Sequence, residues 1–225
     1  MQFLIDALRY LEDPSNWSGP AGLGARITQH LGYTALAVLA TALIAVPLGM
    51  WVGHTKRGAP VVLAAAGALR ALPALGMLTF LAVALPFGVT VPLIPAVITL
   101  VLLGVAPMVA GIVAGFDSVD SQVVLSARAA GYSERDILTR VELPLGAPVM
   151  IGGLRSAVVQ ILATATVLAF IGLGGLGRLL IDGLAVQDYP RMVAGALAVT
   201  AVALVVDVVL AAAQRAARPK LRSRS

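Results

Sequence analysis

Apolar residues gather into five long runs, at 31–52, 61–85, 92–116, 149–171 and 192–213, separated by more polar connections. Each run holds the roughly 20 residues that an α-helix rising 1.5 Å per residue needs to cross about 30 Å of hydrocarbon. The pattern predicts an all-α, polytopic membrane protein with about five transmembrane helices. Two smaller elements are predicted outside the runs. At the start of the chain Phe3, Leu4, Ala7, Leu8 and Leu11 recur at helical spacing up to Pro14, and Trp17 follows. This suits a short interfacial helix with an aromatic anchor, although a disordered leader fits the same residues. Residues 1–10 have neither the basic start nor the uninterrupted apolar core of a signal peptide. The second element lies in the polar connection at 117–148, which reads Ser126-Ala-Arg-Ala-Ala-Gly131-Tyr-Ser-Glu-Arg-Asp-Ile137-Leu-Thr-Arg-Val-Glu-Leu143-Pro144 over its central part. Ser133 and Asp136 form a capping-box-like start ahead of Ile137 and Leu138, and Leu143-Pro144 supplies a stop. The expectation is a helix of about ten residues preceded by a small-residue stretch and a turn.

Composition fixes the class. Of 225 residues 59% are hydrophobic and only 12% are charged, too little polar surface to cover a water-soluble globule of this size. A soluble helical protein can bury one or two such helices in its core, but not five. The absence of cysteine excludes disulfides, thiolate metal sites and a Cys nucleophile. A net charge of +5 raises the question of nucleic acid, so the placement of the basic residues decides. Arg215, Arg218, Lys220, Arg222 and Arg224 crowd the last eleven residues, directly after an apolar run. That position fits the cytosolic flank of a membrane helix better than a nucleic-acid tail. With five spans the termini face opposite sides. Lys56, Arg57, Arg128, Arg135, Arg140 and the tail place ten basic residues on one side, against Arg9, Arg26, Arg178 and Arg191 on the other. The positive-inside bias then puts the N-terminus outside, and the long connection and C-terminus in the cytoplasm. The organisation expected is an extracytoplasmic interfacial segment at 1–30, a transmembrane domain at 31–213 and a basic cytoplasmic tail at 214–225.

Within the runs, Gly49 with Gly53 and Gly111 with Gly115 are small-xxx-small pairs that permit close helix approach. Pro47, Pro95 and Pro107 are expected to kink or break their helices. Charges at membrane depth are expensive, about 2.5–3.5 kcal/mol even on lenient scales. Arg155 and Asp207 lie close enough to the cytoplasmic ends of their runs to snorkel or to pair, whereas Arg70, well inside the second run, is a candidate for facing a water-filled path or a partner subunit. Catalytic constellations are missing: His30 and His54 fall on opposite membrane faces, which precludes a shared zinc site or triad. Gly172-Leu-Gly174-Gly-Leu-Gly177 matches a dinucleotide fingerprint, but it follows a membrane-length run, not a strand, and reads as a turn. No phosphate-binding G-x-x-x-x-G-K-[ST] motif occurs, so the chain is not expected to hydrolyse ATP, and no enzyme activity, cofactor or metal is expected.

Taken on its residues, the segment at 126–144 suits either a docking handle seated in a groove of another protein or a plain amphipathic surface loop. Ala127-Arg-Ala-Ala-Gly131 with Ile137 and Leu143-Pro144 resembles the "EAA" coupling loop of type I ABC-importer permeases, the MetI-like superfamily. Leu125 stands where that pattern has Glu, and Ser126 where it has its first Ala, so a salt bridge to an ATPase through that Glu is not carried over. Further stretches are similar to the osmoprotectant branch, the glycine betaine, carnitine and choline permeases: Val141-Glu-Leu-Pro-Leu145, Gly152-Gly-Leu-Arg155-Ser-Ala-Val-Val-Gln160, Ala163-Thr-Ala165-Thr166, Gly174-Gly175-Leu-Gly177 and Leu72-Pro73-Ala-Leu75. The resemblance implies a pore of two permease subunits, identical or paralogous, a pair of cytosolic ABC ATPases, an extracytoplasmic substrate-binding protein, and alternating access driven through the coupling helix. It also implies site residues. Ser126, Ala127, Arg128, Gly131, Tyr132, Ser133, Ile137, Leu143 and Pro144 would couple to the ATPase, and Arg70, Pro73, Arg155 and Thr164 would lie along the translocation path. A methionine or other amino-acid permease of the same superfamily, and an ATP-independent carrier, are the competing expectations.

Overall fold

A computed structural model describes residues 2–216; the tail residues Arg218, Lys220, Arg222 and Arg224 lie outside the described residues. Among the described residues every regular element is helical: α1 (Gln2–Glu12), a 3-10 turn (Pro14–Asn16), α2 (Leu23–Thr55), α3 (Ala59–Leu69), α4 (Ala74–Ala84), α5 (Leu93–Asp117), α6 (Ser121–Ala129), α7 (Glu134–Asp136), α8 (Leu143–Thr164), α9 (Gly177–Ala185) and α10 (Tyr189–Ala216). A π-helical turn, Ile137–Glu142, joins α7 to α8, and a 3-10 stretch, Ala165–Ile171, continues α8. Among the described residues four helices are long and apolar enough to cross a membrane, five if α3 and α4 count as one broken span.

The broken span corrects the expectation of a second continuous helix. α3 and α4 have 11 residues each, about 16 Å, so neither crosses a bilayer alone. Pro73 offers no N–H and disfavours the helical region at Leu72, so α3 ends at Leu69 and α4 restarts from an extended Pro73 (φ −68°, ψ 121°). Elsewhere the prolines do less than expected. α2 runs on past Pro47 and α5 past Pro107, and Pro95 falls in the first turn of α5, where its N–H would have no helical partner anyway. In lipid a full break would orphan several backbone groups, so losing one bond and continuing is cheaper.

The chain forms two compact units, and the long helices contribute residues to both. One comprises residues 1–40, 72–104 and 158–206. Its core has two clusters, Ala37, Leu78, Ala96, Leu100, Ile161, Ala165 and Leu168 in one, and Leu23, Leu176, Leu179 and Ala198 in the other. α1 exists as expected and leaves Phe3, Leu4, Ile5 and Leu8 exposed, as an interfacial helix does, while Tyr10 and Leu11 pack on the second cluster. Trp17 closes the end of α1 by donating its indole N–H to the Leu11 carbonyl at 2.7 Å. The glycine stretch is a turn ahead of α9, as expected, with Gly175 at φ +90° and its N–H donated to Gln29 Oε1 at 2.9 Å. Helix α9 itself is not foreseen by hydropathy. It carries Asp182, which pairs with Arg178, Arg191 and the buried Arg26.

The other unit comprises residues 41–71, 105–157 and 207–225, described to 216. Its core gathers Ala45, Val52, Met108, Val109, Ile112, Val113, Phe116 and Ala157. Both predicted glycine pairs are close-approach surfaces. On α2, Gly49 and Gly53 lie against Ile112 and Phe116, and on α5, Gly111 meets Gly153 of α8 backbone to backbone, with Gly115 against Gly146. This is the interface that small residues permit when no water drives association.

Candidate functional site

The segment with the coupling-loop pattern belongs wholly to the second unit, and its geometry follows from local sequence. Asp120 caps α6 by accepting from the Gln122 N–H at 2.8 Å. At the other end the chain turns sharply. The Tyr132 N–H reaches the Ala127 carbonyl (3.1 Å) and the Gly131 N–H that of Arg128 (3.0 Å), a Schellman closure that puts Gly131 at φ +85°. Ser133 then caps the next helix, its Oγ accepting from the Asp136 N–H at 3.2 Å and donating to Asp136 Oδ2 at 2.5 Å, which is the N-cap half of the expected capping box.

The expected stop at Leu143-Pro144 does not occur. From Glu134 to Ile171 the helix is continuous over 38 residues, so the helix expected to couple is the start of a membrane span and not a separate piece. The π turn explains how. Pro144 would clash with the carbonyl four residues back and cannot bond to it; the wider turn just ahead of it, in which the Leu143 N–H reaches Leu138 O, moves that carbonyl aside.

The π turn also sets which side chains face inward. Eight residues of regular α-helix overshoot two full turns by about 80°. The wider turn takes up part of that excess, and Glu134 and Glu142 both meet His54 in the last turn of α2. Glu142 is 4% exposed and pairs with His54 Nδ1; His54 Nε2 faces Glu134 Oε2 at 3.6 Å. Arg128 grips Glu134 with two bonds, Nε to Oε1 at 2.7 Å and a terminal N–H to Oε2 at 2.9 Å. These bonds hold the guanidinium's proton more firmly than usual. A cavity of about 390 Å³ opens beside the cluster, lined by His54, Phe116, Leu125, Arg128 and Glu142 among others.

The expected coupling residues separate into two faces. Ser126, Arg128, Gly131, Tyr132, Ser133 and Pro144 are exposed and Ala127 is half-buried, whereas Ile137 is fully buried and Leu143 packs on the core cluster. Val123, Leu125 and Tyr132 add exposed apolar surface to this otherwise polar connection. His54, Glu134 and Glu142 are not foreseen as a group, because nothing in α2 signals that its last turn reaches a helix some 80 residues on.

The expected path residues are not all alike. Arg155 donates Nε to Asp207 Oδ1 at 2.5 Å and a terminal N–H to Oδ2 at 2.6 Å, so of the two expectations for these charges, snorkelling or pairing, they pair. Asp207→Asn is expected to lower the melting temperature in detergent by leaving that guanidinium uncompensated, and adding Arg155→Gln should recover most of the loss. A double variant that melts no higher than the single would argue against the pair as the cause. Arg70 caps the end of α3, exposed, with no side-chain partner among the described residues, and Pro73 starts α4. Thr164, bonded to the Gln160 carbonyl at 2.8 Å, sits where α8 passes into its 3-10 stretch.

Comparisons with known proteins identify the family and the fold. Residues 45–223 match the family of binding-protein-dependent transport system inner membrane components. The chain is 32% identical over 191 residues to the choline transport system permease protein OpuBB of Bacillus subtilis (strain 168), covering 85% of this chain and 86% of that one. It is 31% identical over 192 residues to the glycine betaine/carnitine/choline transport system permease protein OpuCB of the same organism, covering 85% and 87%. With the osmoprotectant import permease protein OsmW of Salmonella typhimurium (strain LT2) it shares 32% over 226 residues, covering 96% and 99%. Among solved structures, an inward-facing methionine ABC transporter, MetNI, superposes with a TM-score of 0.76 at 16% identity over 88% of this chain and 96% of that one. An amino acid ABC transporter superposes at 0.69 and 17% over 95% and 98%. Identities that low establish the fold alone. With the family match spanning most of its length and relatives above 30% identity along it, the protein is a multi-pass membrane permease that belongs to the binding-protein-dependent transport system inner membrane components.

Proposed function

We propose that this chain is the permease subunit of an ATP-driven importer for quaternary ammonium solutes such as choline, carnitine or glycine betaine. Two copies, or this chain and a paralogue, form the pore; a pair of cytosolic ABC ATPases grips the segment at 126–144; an extracytoplasmic binding protein delivers the solute. ATP hydrolysis belongs to the partner. The N-terminus lies outside and the segment at 117–148 and the tail face the cytoplasm, as the distribution of basic residues favours. ATP binding closes the ATPase pair, the coupling helices move with it, and the pore alternates between inward-open and outward-open states.

What supports this reading most is the helix–turn–helix at Asp120 to Asp136, whose exposed Val123, Leu125 and Tyr132 offer a partner apolar area and whose turn is fixed by Gly131. The solute class rests on the relatives, named for choline, glycine betaine and carnitine. Only 5% of residues are aromatic and they are scattered along the sequence, so discrimination falls mainly to the binding protein. Arg70 and the break before Pro73 lie along the path, since irregular backbone at membrane depth is tolerated where it meets water or protein.

Proteoliposomes holding the permease, its ATPase and its binding protein are expected to accumulate labelled choline or glycine betaine only with internal ATP. Uptake without the ATPase, or of methionine alone, would overturn the assignment. In oriented vesicles, protease should cut between 126 and 144 only from the cytoplasmic side.

A further inference from the structure

Resting on the importer reading above, we infer that His54 is the positioning residue that fastens the end of α2 to the coupling helix, so that movement at the docking segment is passed to the pore. Glu142 is almost completely buried, and a carboxylate can only accept hydrogen bonds; buried without a donor it is strongly destabilising. His54 supplies that donor, from the last turn of α2. The same ring faces Glu134 across 3.6 Å, and Glu134 is held in turn by the two bonds from Arg128. One imidazole therefore stands between α2 and three successive parts of the docking segment: α6 through Arg128, α7 through Glu134 and the π turn through Glu142. Phe116 of α5 lies beside it, ring centres 6.5 Å apart, and limits where the ring can go.

A second link between helix ends lies close by, Lys56 Nζ to Asp117 Oδ1 at 2.6 Å, but both side chains are more than half exposed, and such pairs contribute little. The apolar contacts of Leu138 and Leu143 with the core can slide, whereas a buried, directional pair fixes register. Leu125 occupies the place where the coupling-loop pattern has Glu, while Glu142, the buried acidic residue of this segment, is turned inward onto α2.

The test uses the full transporter in proteoliposomes and measures solute imported per ATP hydrolysed. His54→Ala leaves Glu142 without its donor and is the less tolerated change. The double variant His54→Ala with Glu142→Leu removes both partners together and avoids that penalty. In it, solute imported per ATP is expected to fall at least about five-fold, the lower range of allosteric coupling energies. ATPase activity and co-purification with the ATPase should remain within about two-fold of the wild type on the same scale. His54→Gln, which keeps a donor of similar reach, should recover part of the ratio. An unchanged ratio in the folded double variant overturns the inference, as does a parallel fall in uptake and ATPase, which marks a purely structural pair. If neither His54→Ala nor the double variant folds, the pair serves the fold and the inference fails as well. Wild-type vesicles that import nothing with ATP would instead sink the importer reading on which this rests.

Discussion

Gly131→Val is expected to abolish ATP-driven uptake while the protein still inserts and purifies with an unchanged size profile. The reason lies in the backbone. Gly131 sits at φ +85°, where a residue with a Cβ is strained by roughly 1–2 kcal/mol and a β-branched one by more. A Cβ there would meet nothing within 4 Å in this chain, so an internal clash cannot be the cause. The chain relieves the strain by leaving the left-handed region, which gives up the closing bonds from Tyr132 and Gly131 to Ala127 and Arg128. α6 then loses its set direction, and Arg128 its hold on Glu134. Gly131→Asn divides the two explanations, because asparagine tolerates this conformation but brings a side chain. Activity in the Asn variant would locate the requirement in the turn; inactivity in both would locate it in a partner groove with no room for a Cβ. Uptake at the wild-type rate by the Val variant would remove the docking assignment.

Local patterning made most of the membrane architecture legible, and failed where long-range packing decides. α5 matches its apolar run to within a residue, whereas α2 and α10 cover theirs and extend beyond them, because hydropathy misses polar turns that the fold satisfies: Arg26 and His30 are buried in α2, with Arg26 reaching Asp182 and the His30 ring facing the Leu162 carbonyl at 3.1 Å. Capping signals at Ser133 and the turn at Gly131 were readable because they depend on a few adjacent residues. Proline misled in both directions. Pro73 breaks a span that hydropathy shows as continuous, and Pro144 sits in one that its motif presents as ended, the difference being whether a π turn can absorb the missing bond. The cluster at His54 was not readable at all, since it needs the last turn of α2, the π turn and the 3-dimensional pairing of two glutamates at once.

The glycine crossing sets the largest stability effect. Gly111 was visible in the sequence as half of a small-xxx-small pair, but its partner Gly153 was not, and the two approach so closely that a Cβ on either would overlap the other's Cα. Gly153→Leu is therefore expected to reduce stability by about 3 kcal/mol or more, beyond ordinary overpacking, because the obstacle is backbone and cannot rotate away. No second-site change can relieve it, as nothing smaller than glycine exists to place at 111. Gly49→Ala should be milder: its Cβ would meet Ile112 Cβ and Cγ2 at 2.9 Å, so the two helices must part slightly, but the added group is one methyl and it overlaps no backbone atom. Gly32→Ala should be neutral or slightly stabilising, since its Cβ meets nothing and alanine favours a helix over glycine by about 0.5–1 kcal/mol. Melting in detergent should rank the three as Gly153→Leu lowest, then Gly49→Ala, then Gly32→Ala at or above the wild type. A Gly153→Leu protein melting with the wild type would mean that α5 and α8 do not meet at these two residues, and the docking segment, which opens the same continuous helix, would lose the rigid crossing on which it bears.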